Sequence, residues 1–259
     1  MMKSAIASLL ILVSSLSTSA FALAVSSSSS TSPTTKLQLK YFDIKGAAET
    51  CRVLLALGGE EYTDTRYQMD PITFQSPQFL EDKTSGVLRM NLNRVPVLIT
   101  PSGHTIGQSK AIERYIARKC NLMGQTSEEE AIIDCIAEHC RDVKDAAMRK
   151  RFSKFVKDRT DEDKAKDRTQ WFTEDMPLLL SKIEQSVTDI STCSGYTLGD
   201  TPSYADVAIW ALLRDCSDAD LDDTTMAAAK CKILNAIADQ IASHPGVAKW
   251  LAERPKSTW

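Results

Sequence analysis

The feature that most constrains this chain is a change of hydrophobic period near residue 120. Before that point short alternating runs mix with helical ones. After Glu128 strand signals nearly vanish, and apolar residues recur at helical spacing, first at Ile133, Ile136, Ala137, Cys140 and Val143. A chain divided in this way folds as an α/β domain over residues 36–119 followed by an all-α domain over 128–259. Cys120 to Ser127, with Gly124 and little apolar content, reads as the linker.

Within the first part Leu37 to Tyr41 alternates as a strand, and Thr50 to Leu57 then carries helical spacing at Val53, Leu54 and Leu57, ended by Gly58-Gly59. A second strand is expected over Tyr62 to Tyr67. An irregular segment follows, punctuated by Pro71, Pro77 and Gly86. Val95 to Ile99 turns at Pro101-Ser102-Gly103 into His104-Thr105-Ile106, a β-hairpin with a proline near its start, and a helix is expected from Ser109 to about Lys119. The order β-α-β, then β-β-α, is that of a thioredoxin-like half-domain. In the helical part the basic-rich run Arg149 to Arg168 reads as solvated helix faces and a turn. Ser203-Tyr204-Ala205-Asp206 reads as a capping box at a buried helix start, which makes Asp206 a folding residue.

The amino terminus stands apart. Lys3 precedes the apolar run Ala5 to Val13, too short to span a bilayer, with small residues at Thr18 and Ala20, so residues 1–20 read as a secretory signal peptide. Residues 21–35 form a Ser/Thr-rich stretch with no acidic residue, a tail or a second targeting signal. Phe21 directly after the cleavage point resembles bipartite plastid-targeting leaders, and simple secretion or another organelle is the alternative. The seven cysteines are odd in number and scattered, unlike a disulfide framework, which suits a reducing compartment. No stretch of the mature form suits membrane insertion. A net charge of −3 argues against nucleic acid as a partner, since phosphate neutralisation dominates that binding. Cys135 and His139 share a helix face but lack a complementary pair, so no metal is expected.

Several motifs then fall in register. Leu39-Lys40-Tyr41-Phe42-Asp43-Ile44-Lys45-Gly46-Ala47-Ala48-Glu49, Arg94-Val95-Pro96-Val97-Leu98, Gln108-Ser109-Lys110-Ala111-Ile112-Glu113-Arg114-Tyr115-Ile116, Ser203 to Asp206 and Pro245 to Leu251 together resemble the glutathione S-transferases. The likeness runs from Lys36 to the end. It is nearest to the tyrosine-type sigma class, which includes glutathione-dependent prostaglandin D synthases. The resemblance implies a transferase that conjugates the thiolate of glutathione, its co-substrate, to small soft electrophiles. A prostaglandin-type isomerase and a non-catalytic glutathione-fold binding protein are the alternatives. Ala47 departs from the pattern, because sigma members often carry there an arginine that orients the catalytic tyrosine.

Chemistry sets what such a site must do. An unperturbed thiol of pKa about 8.5 is only roughly 3% thiolate at pH 7. A tyrosine hydroxyl that donates to sulfur can lower that value, two units corresponding to about 2.7 kcal/mol. A tyrosine on a half-buried strand is by itself more often core. The resemblance assigns the catalytic part to Tyr41, and no serine or cysteine follows the strand to compete. It also implies a cis Val95-Pro96 peptide whose Val95 backbone pairs with the cysteinyl unit, Gln108 and Ser109 at a helix start holding the γ-glutamyl carboxylate, and Arg94 near the glycyl carboxylate. Phe74 and Phe79 are candidates for a contact to the glycyl end. The γ-glutamyl ammonium is met in the family by a carboxylate of the other subunit. Glu138 aligns with that role, with Asp134 one turn earlier as rival, and a homodimer follows.

Overall fold

The computed structural model describes residues 35–70, 72–73, 75–153, 156–191 and 195–256. The signal peptide expected over 1–20, all but Thr35 of the 21–35 stretch, and Phe74 lie outside the described residues. Alternation along β1 (Leu37–Phe42) buries Leu37, Leu39 and Tyr41 on one face. β1 pairs in parallel with β2 (Tyr62–Tyr67) and antiparallel with β3 (Val97–Ile99), and β3 pairs antiparallel with β4 (Thr105–Gly107), giving the order β2-β1-β3-β4. The crossover from β1 to β2 is α1 (Glu49–Leu57), which leaves the sheet at Gly58 and at Gly59, whose φ is +62°.

The segment after β2 is not wholly irregular. It holds α2 (Pro77–Ser85), opened by the Ser76 side chain accepting from the Phe79 N–H, with Pro77 in the first turn and Gly86 left-handed at the end. No residue of α2 is fully buried, so its apolar periodicity is faint. Phe79 packs on Phe42 and Tyr67 at centroid distances of 5.2 and 5.7 Å, which makes it an anchor of α2 on the sheet. α3 (Ser109–Lys119) closes the first half.

α4 (Ser127–Lys150) opens the helical half behind a Thr126–Glu129 capping box and buries Ile133, Ile136, Ala137, Cys140 and Val143. It is followed by α5 (Asp161–Gln170), a π-helical turn at Trp171–Asp175, α6 (Met176–Ile190), α7 (Tyr204–Arg214), α8 (Leu221–Ala227), α9 (Lys232–Ser243) and α10 (Pro245–Glu253). α7 is the central helix, buried along nearly its whole length. Asp206 accepts from the backbone N–H of Thr197 at 2.6 Å and from Ser203 N–H and Oγ, each at 2.7 Å. Burial pushes its carboxyl above the ordinary value while these bonds pull it down. The charge run is solvated along α5, which buries no residue, and at its end Arg168 binds Asp220 and Asp223 and lies 4.7 Å from the Phe172 ring centroid.

Buried polar bonds tie the halves together. Tyr204 Oη donates to the buried Glu113 of α3 at 2.8 Å, and Glu49 accepts from Trp250 Nε1 at 2.9 Å and Arg254 at 2.7 Å. At Gly246 only glycine fits, since a Cβ would lie 2.2 Å from the Ala56 carbonyl oxygen.

Candidate active site

Tyr41, the last residue but one of β1, is 9% exposed, and its hydroxyl accepts a hydrogen bond from the backbone N–H of Ala47 at 3.1 Å. Gly46, at φ +45°, lets the chain pass the phenol; a Cβ there would sit 2.6 Å from Tyr41 Oη. This corner is clamped from below by Arg52, fully buried, whose Nη1 donates to the carbonyls of Ile44 at 2.8 Å and Lys45 at 3.3 Å. Its guanidinium lies 6.0 Å from the Tyr41 ring centroid and is balanced by Glu49 and Asp64. The Tyr41 hydroxyl is therefore fixed by a peptide group at the position where the resemblance expects an arginine side chain.

The second corner is a pair of turns joined by one side chain. The Val95-Pro96 peptide is cis. Val95 lies just outside the β1–β3 ladder, which ends at Lys40–Val97. Asn91, buried, donates from Nδ2 to the Pro96 carbonyl at 2.9 Å and accepts the Gln108 N–H on Oδ1 at 3.1 Å. Gln108 needs that support, because its φ of +66° is unusual for a side chain other than glycine. Ser109 is the first residue of α3 and does not cap it: Gln108 occupies the cap position, with no side-chain bond. That leaves the Ser109 hydroxyl at an open helix start.

Gly46, Ala47, Thr50, Ser109, Lys110 and Glu113 line a cavity of about 350 Å³ whose other wall is α4, through Arg141, Lys144, Asp145 and Met148, and the segment Asp215, Cys216 and Ser217. The Tyr41 corner and the start of α3 thus face one space. Arg94 is exposed and, among the described residues, donates only a long bond, 3.5 Å, to the Asn91 carbonyl. Glu138 and Asp134 do not line this space; both pair with Arg114, and Glu138 also with Arg141 at 2.6 Å. Among the described residues no group of three or more His, Cys, Asp or Glu is placed to hold a metal ion. No described helix is long and apolar enough to cross a membrane.

The comparisons with known proteins agree in extent with this architecture. Residues 37–118 match the profile of the glutathione S-transferase N-terminal domain, and residues 146–254 that of the C-terminal domain. Hematopoietic prostaglandin D synthase of Gallus gallus is 30% identical over 85% of this chain and 97% of its own length. The chain belongs to the glutathione S-transferase family. Glutathione S-transferase 3 of Caenorhabditis elegans is 28% identical over 85% of this chain and 97% of its own. Glutathione S-transferase Mu 4 of Mus musculus is 40% identical, but over 44% of this chain and 51% of its own length. Among solved structures, a nematode-specific glutathione S-transferase of C. elegans superposes with a TM-score of 0.67 at 25% identity, covering 86% of this chain and 99% of its own. Monomeric Na-GST-3 of the hookworm Necator americanus gives 0.68 at 24%, over 86% and 100%.

In this glutathione S-transferase several groups at the site escape sequence reasoning. Asn91 and Arg52 act through backbone carbonyls and amides, which leave no motif. Lys144 and Asp215 lie some seventy residues apart, on α4 and just after α7, and only the fold brings them to one wall. For Asn91 a signal did exist: glycine at position 107, where a Cβ would come within 2.7 Å of the asparagine's own Cβ, marks a close approach.

Proposed function

We propose that Tyr41 is the group through which this glutathione transferase holds the thiolate of bound glutathione for attack on a soft electrophile. One observation carries the reading: the Ala47 N–H donates to the Tyr41 oxygen at 3.1 Å, which leaves the phenolic hydrogen available for a sulfur placed in the cavity that Gly46 and Ala47 line. In this reading the Val95 backbone pairs with the cysteinyl unit, Ser109 and Gln108 hold the γ-glutamyl carboxylate, and Arg94 approaches the glycyl carboxylate. With glutathione and chlorodinitrobenzene as substrates, Tyr41→Phe should lower turnover by one to two orders of magnitude, about 1.4–2.7 kcal/mol, with little change in glutathione affinity. Turnover within twofold of wild type would sink the assignment. A second reading, isomerisation of a prostaglandin-like peroxide, is favoured by the prostaglandin D synthase relative and would use the same thiolate.

The active unit in this reading is a homodimer in which Glu138, or its rival Asp134, faces the partner's γ-glutamyl ammonium. The exposed apolar side chains of Met90 and Leu92, beside the Val95 turn, support a covered surface there. Light scattering should give twice the chain mass, and a single-chain mass contradicts it. The leader reading is a reduced, organellar mature chain, with residues 1–35 as address. A fluorescent protein fused to those residues should enter a plastid, and fluorescence confined to the medium would refute that.

A further inference from the structure

The last described helix reaches the Tyr41 corner from beneath. α10 lies so close on α1 that Gly246 meets the Ala56 carbonyl with no room for a side chain. One turn further, Trp250 Nε1 donates to Glu49 Oε1 at 2.9 Å, and Arg254 Nη1 donates to the same oxygen at 2.7 Å. Glu49 is 1% exposed. Its other oxygen takes Arg52 Nη1 at 3.2 Å, and that one nitrogen also holds the carbonyls of Ile44 and Lys45. Two residues beyond Lys45, the Ala47 N–H rests on the Tyr41 oxygen.

Trp250 reaches the same turn by a second route. Its ring lies 5.8 Å from the Arg66 guanidinium, which donates to Asp43, the residue after β1, at 3.0 Å and to Asp64, the other partner of Arg52, at 2.7 Å. Both routes end on residues 43–47. Buried charges of this kind tolerate little loss. Without its α10 donors Glu49 Oε1 would stay buried and unpaired, with Arg52 the cation within reach. Arg52 can turn to it only by leaving the Ile44 and Lys45 carbonyls. The Ala47 N–H would then move off the Tyr41 oxygen. A phenol that accepts less also donates less strongly, because chained hydrogen bonds polarise one another.

We propose that Trp250 and Arg254 are positioning residues of the thiolate site: through Glu49 and Arg52 they hold residues 43–47 so that the Ala47 N–H stays on Tyr41. The inference rests on the thiolate reading above. A bare charge effect would act differently. The charged groups lining the cavity beside Gly46 and Ala47 are Lys45, Lys110, Arg141, Lys144, Glu113, Asp145 and Asp215, and Arg254 lies 4.0 Å from Asp215. Removing the Arg254 charge therefore alters the field in that space as well as the bond to Glu49. Trp250→Phe alters no charge and keeps an aromatic ring, so it acts on the bond to Glu49 alone.

The test is ultraviolet titration of the thiolate in the complex with saturating glutathione, a property of each folded molecule that does not depend on how much protein folds. Trp250→Phe should raise the pKa of the bound thiol by at least about 0.3 unit, a roughly twofold fall in its ionisation constant, and Arg254→Met by at least about 0.5 unit, or roughly threefold. Arg254→Lys should recover most of the Arg254→Met change. A Trp250→Phe curve that overlays wild type overturns the proposal, even where urea unfolding shows that variant to be less stable, because a scaffold role lowers stability and leaves the thiol unmoved. Arg254→Lys moving as far as Arg254→Met overturns it too. Wild type and Tyr41→Phe titrating alike would remove the thiolate reading and this inference with it. If those two differ while the Trp250 and Arg254 variants match wild type, this inference alone fails.

Discussion

The two walls of the site are built differently. On the thioredoxin-like side the reacting geometry is fixed by peptide groups: Ala47 N–H on Tyr41, Ile44 and Lys45 carbonyls on Arg52, Pro96 carbonyl and Gln108 N–H on Asn91. On the helical side the space is shaped by side chains of α4, the π-helical turn and the end of α7, where among the described residues the buried Asp215 Oδ1 has no hydrogen-bond partner. A wall made of backbone tolerates many sequences and serves one constant ligand. A wall made of side chains can change its acceptor by substitution while the fold stays in place.

The largest expected effect breaks the comparison at its structural root. Asp206→Ala strips three hydrogen bonds from the start of α7 and leaves buried N–H groups of Thr197 and Ser203 unpaired, so stability should fall by about 3 kcal/mol. Urea unfolding measures it, and a loss below about 1 kcal/mol would mean that α7 is held by packing alone. A middle effect concerns the backbone wall. Ser109→Ala keeps the helix-start N–H but removes the hydroxyl, and glutathione affinity should fall about tenfold, or about 1.5 kcal/mol. Equal affinity by calorimetry would assign the carboxylate to the backbone alone.

The smallest effect sharpens the view of the helical side. Cys135 is exposed, Cys216 lines both cavities, and burial pushes Cys140 up to about 12 and Cys231 up to about 11. A raised value means less thiolate at any working pH. Alkylation at pH 8 should therefore mark Cys135 first, Cys216 next, and Cys140 and Cys231 last. Early labelling of Cys140 or Cys231 would show that the helical core opens.

What could be read in the sequence follows the same division. β1, α1, α3, α4, α7 and α9 announce themselves because each buries a periodic apolar face. α2 does not, since it lies on the sheet with no fully buried residue; only its Ser76-Pro77 start and Gly86 end betray it. The Tyr41, Val95-Pro96 and Gln108-Ser109 positions stand in motifs because strands and turns bring near neighbours together. Lys144 looks like one more charge on an amphipathic helix, and only the fold sets it on one cavity wall with Asp215, Cys216 and Ser217. Glu138 sits beside Arg114 and Arg141 of its own chain, a pairing that helix spacing alone does not reveal.

The central claim is that Tyr41 shifts the acidity of bound glutathione. Ultraviolet titration of thiolate absorbance in the binary complex measures this without any acceptor. The wild-type complex should ionise about two units below the free thiol value of about 8.5, and the Tyr41→Phe complex should return most of that shift, about 2.7 kcal/mol. Identical titration curves for the two proteins, at saturating glutathione, would contradict it.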